Sequence, residues 1–395
     1  MTRVLELSAQ AAGGVRAHIR QVSQLLAKDG HQVLLAGPSN VISPADDAVS
    51  GACLRTYQID IGARPSGADL KALRQLKQLA TTAQVIHAHG LRAGALAVLA
   101  AKRLPAAKRP RVVVTLHNLP VGSAPTRLVG QVLQLVVVKG ADYVLTVSPD
   151  LLEKAKQLGL KAGEIAVVPA PARGCADCGC MDRAAQSEIS QASAQSSHAG
   201  SGVGTGSGVG AGSSYGASSA AGSGATPCVL TIARLAPQKG LDLLLEAAAL
   251  IKQRGIDFTW LVAGDGPLKA QLNQQIAAAA LPVKLLGRRE DIGALLSQAD
   301  VVVQTSYWEG QPLTLREAMQ AGRAIVATDV GGSAYTLAGC GQLVEPQAGP
   351  LADAVVAVIS DPKRRESLEA ASRAAVAKIP GETQLREQLD RVLKL

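Results

Sequence analysis

The feature that most constrains the fold of this chain is a strand–helix alternation that occurs twice, on either side of a stretch rich in Gly, Ser and Ala. Short apolar or β-branched runs alternate with helical stretches, a pattern typical of a parallel sheet covered by helices on both faces. The length of 395 residues also exceeds what one ordinary core holds. We therefore predict an α/β protein with two Rossmann-like, doubly wound parallel-sheet domains.

The elements of the two blocks can be placed from their hydrophobic periodicity. The predicted strands are residues 4–7, 33–36, 85–89, 112–117 and 143–147 in the first block, and 229–233, 259–263, 283–286, 301–305 and 324–327 in the second. The predicted helices are residues 15–28, 70–80, 93–103 and 128–139 in the first block, and 241–254, 268–279, 292–298 and 313–321 in the second.

This pattern predicts an N-terminal domain over 1–171, a linker over 172–227 and a C-terminal domain over 228–380. Residues 381–395 form a predicted helix that is expected to pack back toward the N-terminal domain. The linker has almost no apolar residues to bury, so its ordering entropy is not offset and we expect it to be disordered.

The linker also contains a cysteine cluster. Cys175, Cys178 and Cys180 form a C-x-x-C-x-C pattern, and His198 follows. Three thiolates and an imidazole are a ligand set that zinc accepts. Because these residues lie in low-complexity sequence without a second cluster, we favour incidental cysteines and predict no metal site.

The net charge of +9 is unevenly distributed. Residues 1–171 contain 20 Lys and Arg against 10 Asp and Glu, whereas residues 228–395 contain 18 of each. A basic half can attract nucleic acid, an anionic membrane or a phosphorylated substrate, or it can be a solvated surface. Aromatic residues make up only 2% of the chain, which disfavours stacking on single-stranded nucleic acid. We therefore predict no nucleic-acid partner.

No apolar run approaches the roughly 18–20 residues that span a bilayer. The first residues read as a short strand rather than as a signal peptide. A cytoplasmic protein is therefore expected, with peripheral contact to an anionic membrane at its inner face as a hypothesis that follows from the basic N-terminal half.

Candidate functional residues of the first block follow its strands, where ligands bind in open α/β sheets. Gly13 and Gly14 precede a predicted helix start, a place where the backbone can approach an anion closely. His117 ends one predicted strand, and we favour it as a functional residue. His87 and His89 end the neighbouring strand and His18 lies in the first helix, so all four are expected at the same edge.

Cationic residues follow the strands of the second block. Arg234 and Lys239 lie five residues apart on one loop, where a guanidinium and an ammonium can converge on a diphosphate. Gly287 and Arg288 follow another strand, where a backbone and a side chain could hold a base.

Two carboxylates flank a predicted helix start in the second block. Glu309 and Gly310 lie in the loop, and Pro312 suits the first turn of a helix that would carry Glu317. Free N–H groups at a helix start can hold phosphate oxygens, and carboxylates accept hydrogen bonds from sugar hydroxyls.

Taken together, these motifs resemble the retaining glycosyltransferases of the GT-B fold, specifically glycosyltransferase family 4. The resemblance is carried by residues 234–240, 264–267, 287 and 328–332, and by the E-x7-E spacing of Glu309 and Glu317. The N-terminal block matches more loosely, through Gly13, Gly14 and its histidines. The resemblance implies two Rossmann-like domains that face each other across a cleft.

The resemblance also implies roles for individual residues. Arg234 and Lys239 would bind the diphosphate of a nucleotide-sugar, Glu317 the ribose and Glu309 the transferred sugar. Leu313 and Thr314 would offer backbone N–H groups to the phosphates, and His117 would contact the sugar near the reacting carbon. The donor would be a UDP-, GDP- or ADP-sugar, acting as a co-substrate without a further cofactor, and the acceptor a glycan, a lipid-linked or another small molecule. Transfer would retain the anomeric configuration without a metal ion.

One departure from the family and two alternative functions stay open. Relatives usually carry Pro-Asn-Gly after a strand that we predict here over residues 165–168. This chain has Pro169-Ala-Pro-Ala instead, which puts the hinge and a minor donor contact in doubt. A nucleotide-sugar epimerase on the same fold would reuse the donor pocket. A non-catalytic nucleotide-sugar-binding protein would keep binding but not turnover.

Overall fold

The computed structural model describes residues 1–11, 13–42, 53–62, 67–118, 124–169 and 226–395. Almost all of the predicted linker, including Cys175, Cys178, Cys180 and His198, lies outside these residues, as does the departure that begins at residue 170. In the described chain, no helix is both long and apolar enough to cross a bilayer.

The N-terminal half forms a seven-stranded parallel sheet in the order β3-β2-β1-β4-β5-β6-β7. Its strands are β1 Arg3–Ser8, β2 Gln32–Gly37, β3 Leu54–Gln58, β4 Val85–His89, β5 Arg111–Leu116, β6 Tyr143–Thr146 and β7 Gly163–Ile165. The helices are α1 Gly14–Lys28, α2 Ala68–Ala80, α3 Leu91–Lys102, α4 Ala124–Gly140 and α5 Pro149–Gln157. Helices α2, α3 and α4 pack on one face of the sheet, and α1 and α5 pack on the other.

The C-terminal half forms a six-stranded parallel sheet in the order β10-β9-β8-β11-β12-β13. Its strands are β8 Cys228–Ile232, β9 Thr259–Ala263, β10 Val283–Gly287, β11 Val301–Gln304, β12 Ala324–Thr328 and β13 Gln342–Val344. The helices are α6 Leu241–Gln253, α7 Lys269–Ala278, α8 Ile292–Gln298, α9 Leu313–Gln320, α10 Ser333–Leu337, α11 Ala348–Ile359 and α12 Pro362–Ala375. This order places the strand ends of β8 and β11 side by side.

The predicted fold class of two doubly wound parallel-sheet domains is confirmed. Each predicted strand and helix matches an observed element to within about four residues at its ends. The strands missing from the sequence prediction are β3 and β13, which lie at sheet edges, and the strand predicted over 165–168 meets the edge strand β7 only at Ile165. Edge strands are buried less, and β7 and β13 have only three residues each, so they lack the apolar run that marks a central strand.

The last helix, α13 Glu382–Leu393, packs against the N-terminal sheet. The buried side chain of Gln388 accepts a hydrogen bond from the Val167 backbone N–H at 2.7 Å and donates to the Ile165 carbonyl at 2.9 Å. Arg111 Nε donates to the Val392 carbonyl at 2.9 Å. The chain therefore crosses back to the first half after completing the second.

Candidate active site

The loops at the carboxyl edge of the C-terminal sheet are tied to one another by hydrogen bonds. Thr305 Oγ1 donates to the Lys239 carbonyl at 2.8 Å, and the Tyr307 backbone N–H donates to the Gln238 carbonyl at 2.9 Å. Thr328 Oγ1 donates to the Ser306 carbonyl at 2.6 Å. These bonds join the loops after β8, β11 and β12, so their side chains are held in one site.

Glu309 is the centre of this site. Its Oε1 atom lies 2.5 Å from Lys239 Nζ and 2.5 Å from Ser306 Oγ. The Glu309 side chain is 9% exposed and that of Lys239 is 25% exposed. The carboxylate is therefore fixed by two donors, while the ammonium keeps access to solvent.

Helix α9 begins directly after this carboxylate. Pro312 precedes the helix, and Leu313 and Thr314 are its first two residues, whose backbone N–H groups have no partner within the helix. Glu317 is buried one turn further on. The helix start thus presents a partial positive charge and N–H donors beside Glu309, which suits an anionic ligand.

Arg234 and Arg288 lie at the same edge of the sheet but are exposed. Arg234 follows β8, and Arg288 follows Gly287, the last residue of β10. The structure therefore brings Lys239 and Glu309 into direct contact, whereas the side chains of Arg234 and Arg288 are exposed to solvent.

The predicted histidines meet on one face of the N-terminal sheet. His87 Nδ1 lies 3.0 Å from Glu6 Oε1, and His89 Nε2 lies 2.7 Å from Glu6 Oε2. His89 Nδ1 in turn lies 3.2 Å from His117 Nε2. The ring of His18 on α1 covers this group, with its centroid 6.0 Å from that of His117. All five side chains are buried.

Burial sets the protonation of this cluster. Burial alone would raise the pKa of Glu6, but its electrostatic interaction with His87 and the hydrogen bonds from His87 and His89 outweigh it and lower that pKa to about 2. Burial lowers the pKa of His18 to about 3, and it lowers the pKa of His89 and, strongly, that of His117. Glu6 is therefore ionised at neutral pH, and His18, His89 and His117 are neutral.

Glu6, His87 and His89 are also close enough to share a metal ion, with one ligand atom from each within 4.8 Å of the others. Their hydrogen bonds to one another already account for this proximity. We therefore assign no metal to this cluster.

The two halves touch at the loop that carries Glu309. A Cβ atom on Gly310 would lie 2.5 Å from Val147 Cγ2, so a larger residue there would force either this loop or Val147 of the N-terminal half to shift. A Cβ on Gly14 would lie 3.2 Å from Leu313 Cδ1, which places the loop at Gly13 and Gly14 against the start of α9.

Polar bonds cross the same junction. Trp308 Nε1 donates to Asp150 Oδ2 at 2.9 Å, and Gln311 Nε2 donates to the Ala166 carbonyl at 2.7 Å. The loop that carries Glu309 is therefore bonded to the N-terminal half, at the edge of the sheet where the histidine cluster lies.

Sequence reasoning missed Glu6 and Arg316. The signal for Glu6 was a carboxylate inside an otherwise apolar strand, which burial would permit only with a partner. Arg316 is buried in α9; its Nη2 donates to Gln311 Oε1, whereas Nε and Nη1 have no partner among the residues that the structure describes. A charged residue on the buried face of a short helix was the available signal there.

Comparisons with known proteins identify the family. Residues 13–171 match the model of the glycosyl transferase 4-like domain, and residues 226–361 match that of the glycosyl transferases group 1. Over 149 residues the chain is 35% identical to an alpha-D-kanosaminyltransferase from Streptomyces kanamyceticus. That match covers 36% of this chain and 39% of the relative, so the chain spans well under half the length of this relative.

A second relative is similarly placed. The phosphatidyl-myo-inositol mannosyltransferase of Mycobacterium tuberculosis is 35% identical over 150 residues, which cover 35% of this chain and 39% of the relative. Here too, less than two thirds of the relative is spanned.

Solved structures resemble the whole chain. HepE from Anabaena in complex with UDP-glucose superposes with a TM-score of 0.71 at 20% identity and covers 100% of both chains. WaaG, a glycosyltransferase involved in lipopolysaccharide biosynthesis, gives a TM-score of 0.67 at 13% identity over 99% of both chains. At such identities the likeness shows the fold. With the two matched domain models, it places the chain in the group 1 glycosyl transferases, family 4, with the GT-B fold.

Proposed function

We propose that this protein is a retaining glycosyltransferase that moves a sugar from a nucleoside-diphosphate donor to an acceptor without a metal ion. The observation that carries the proposal is the contact of Glu309 with Lys239 and Ser306 beside the start of α9. One site thus offers a cation and N–H donors for a diphosphate, and a carboxylate for sugar hydroxyls.

The cations would stabilise the leaving group. As the bond between sugar and diphosphate breaks, negative charge develops on the phosphate oxygens, and Lys239 is placed to meet it. Arg234 is exposed on the same loop and would join Lys239 once a diphosphate is present. Fixed cations acting in this way stabilise a transition state electrostatically, as a divalent ion would.

The remaining roles follow from position. Glu309, with Gly310, would hold the transferred sugar, Glu317 the ribose, and the N–H groups of Leu313 and Thr314 the phosphates. Gly287 and Arg288 would border the base, and Gly13 and Gly14 would approach the donor from the opposite domain. His117 would contact the sugar, and a leaving phosphate oxygen would take the proton of the attacking acceptor hydroxyl.

Support for the donor class comes from fold neighbours. HepE was solved with UDP and with UDP-glucose, and it superposes along the whole length of this chain. A UDP-sugar is therefore the first donor to test, with GDP- and ADP-sugars beside it.

A thermal-shift panel of UDP-, GDP- and ADP-sugars tests donor binding directly. A ligand at 100 times its dissociation constant stabilises the folded state by about 2.7 kcal/mol, so the donor should raise the melting temperature measurably. Lys239→Ala should abolish the shift, whereas Arg254→Ala should not. Arg254 pairs with Asp353 at the opposite end of α6 and serves as the matched cationic control. A donor that shifts Lys239→Ala and wild type equally would contradict the proposed site.

Helix α4 carries exposed apolar side chains that could bring the protein to a membrane-bound acceptor. On α4, the apolar side chains of Leu128, Val132 and Leu135 are 63%, 56% and 46% exposed. At 100° per residue, they fall within a stripe of about 60° that also holds the exposed Lys139. An apolar stripe with a basic residue suits the interface of an anionic bilayer. We propose that the N-terminal domain docks there, on the cytoplasmic face, to reach a lipid-linked or glycan acceptor.

Flotation with vesicles of anionic phospholipid tests this docking. Wild type should float with the vesicles in low salt and less so in high salt, because charge attraction is screened. Val132→Glu should prevent flotation. Leu70→Glu is the matched control, because Leu70 is an equally exposed apolar residue, 56% exposed, but lies on α2 rather than on α4. Equal flotation of Val132→Glu and wild type would contradict docking through α4.

A further inference from the structure

A chain of hydrogen bonds leads from the buried carboxylate of Glu6 to His117. Glu6 Oε2 lies 2.7 Å from His89 Nε2, and His89 Nδ1 lies 3.2 Å from His117 Nε2. Glu6 is fully buried, and His89 and His117 are 2% and 7% exposed. Water has little access to these bonds, so the protonation of each group constrains the next.

The direction of each bond follows from the donors and acceptors present. An ionised carboxylate only accepts, so His89 Nε2 must carry a proton and donate to Glu6. A neutral imidazole has one N–H, so His89 Nδ1 carries a lone pair and must accept from His117 Nε2. The remaining ring nitrogen, His117 Nδ1, then carries a lone pair, and none of the described residues bonds to it.

We propose that Glu6 is a positioning residue: through His89 it holds His117 as the Nε2–H tautomer, so that His117 offers Nδ1 to substrate as a hydrogen-bond acceptor. The group recognised would be a hydroxyl of the transferred sugar, whose O–H would donate to Nδ1. This inference rests on the proposed function, because it assigns His117 to the sugar. The tautomer itself depends on the two hydrogen bonds together with an ionised Glu6 and a neutral His89.

The second branch of the cluster does not impose a tautomer. His87 Nδ1 faces Glu6 Oε1 at 3.0 Å, and its Nε2 lies 2.8 Å from Thr115 Oγ1. A hydroxyl can donate or accept, so this end adapts to either state of His87. The path through His89 is different because every partner on it has one fixed role. Thr115→Val therefore disturbs the same buried cluster without touching the path to His117.

The test is a two-bond ¹H–¹⁵N correlation spectrum of the full chain labelled with ¹⁵N-histidine, which distinguishes the two neutral tautomers. His117 is assigned by its loss in His117→Gln. Wild type and Thr115→Val should show the Nε2–H tautomer. Glu6→Leu and His89→Leu should show a mixture of tautomers. His89→Gln should restore the Nε2–H form, since its amide can donate to Glu6 and accept from His117.

Kinetics supply the second readout. Glu6→Leu and His89→Leu should lower kcat about tenfold relative to Thr115→Val, the equivalent of one hydrogen bond, with the KM for the donor little changed. If Glu6→Leu does not fold, the pair His89→Leu and His89→Gln carries the test alone. An Nδ1–H or protonated His117 in wild type would overturn the proposal. So would an unchanged tautomer in both leucine variants. The predicted tautomer without any transfer would instead overturn the proposed function.

Discussion

The two halves of this molecule place polar groups at equivalent edges of their sheets, but they treat them differently. In the N-terminal half, Glu6, His89 and His117 are buried and bonded to one another. In the C-terminal half, the Lys239 side chain is 25% exposed and Arg234 is exposed without a partner among the described residues. The polar groups of the N-terminal half therefore bond to one another away from solvent, whereas the cations of the C-terminal half are accessible to solvent.

The difference suggests how the two sides of the cleft meet a ligand. Buried, mutually bonded groups keep one arrangement, because breaking any bond leaves an unsatisfied polar atom that costs about 1–3 kcal/mol. Lys239 is 25% exposed, and Glu309 also bonds to Ser306, so a diphosphate that replaces Glu309 on Lys239 does not leave the carboxylate without a donor. We infer that the N-terminal side supplies fixed geometry and the C-terminal side supplies adaptable charge.

Among substitutions that test the contact between the two sides, the largest effect is expected from separating them at Gly310. In Gly310→Ala, the new Cβ would lie 2.5 Å from Val147 Cγ2, so the loop carrying Glu309 must move away from the N-terminal domain. A displacement of about 1 Å at a reacting centre can cost about 100-fold in rate. We expect kcat/KM to fall by that order, as measured in a donor-turnover assay.

A second substitution makes this prediction specific. Val147→Ala removes the methyl group that the new Cβ would meet, so Gly310→Ala combined with Val147→Ala should recover part of the lost activity. Double variants at contacting sites are expected to be non-additive in this way. Strict additivity would show that the contact between the halves does not position the site.

A smaller effect is expected on the pH dependence of the unfolding free energy, because the N-terminal histidines are buried. Burial, followed by electrostatic interactions with His89 and His87, lowers the pKa of His18 to about 3, with Glu6 opposing and Arg316 adding to the shift. The folded pKa is depressed, so the unfolded chain binds a proton that the folded chain does not between pH 6.5 and 3. Stability present above pH 6.5 is therefore lost as the pH falls, by about 1.4 kcal/mol per pH unit for this proton.

Replacing the histidine isolates that contribution. His18→Gln should flatten the dependence of the unfolding free energy on pH between 6.5 and 4 by about one proton, as measured by urea unfolding. Above pH about 7 the two proteins should show equal slopes, which provides the control. Equal slopes in the acid range would mean that His18 is not held neutral.

The smallest effect concerns a polar tie between the halves. Trp308→Phe keeps the aromatic ring but removes the N–H that donates to Asp150 Oδ2 at 2.9 Å. We expect a loss of about 0.5–1.5 kcal/mol of unfolding free energy. A double-mutant cycle with Asp150→Ala should return a coupling of that size. A coupling near zero would show that the contact does not hold the halves together.

The sequence was most informative where chemistry is local. The loop from Arg234 to Lys239 and the spacing of Glu309 and Glu317 lie within short segments, so their residue types and intervals identify a site before any fold is known. The central strands were equally readable, since strands buried on both faces form continuous apolar runs.

What could not be predicted is assembled from distant residues. Glu6 meets His87 and His89 only because β1 and β4 are neighbours in the sheet, with Glu6 in register with His87. The pairing of Lys239 with Glu309 joins residues 70 positions apart. Motif spacing predicts which residues belong to such a site but not which of them contact one another. The edge strands were missed for a different reason, because they lack the apolar runs that identify a central strand.

We propose that the site between the halves transfers a sugar with retention, and anomer-resolved NMR of the product tests this most directly. With the donor found by thermal shift, wild type should release the nucleoside diphosphate and form a product with the donor's anomeric configuration. Glu309→Gln should lower kcat by about 100- to 1,000-fold, as loss of a group that stabilises the transition state would. An inverted product, or equal turnover by wild type and Glu309→Gln, would contradict the account.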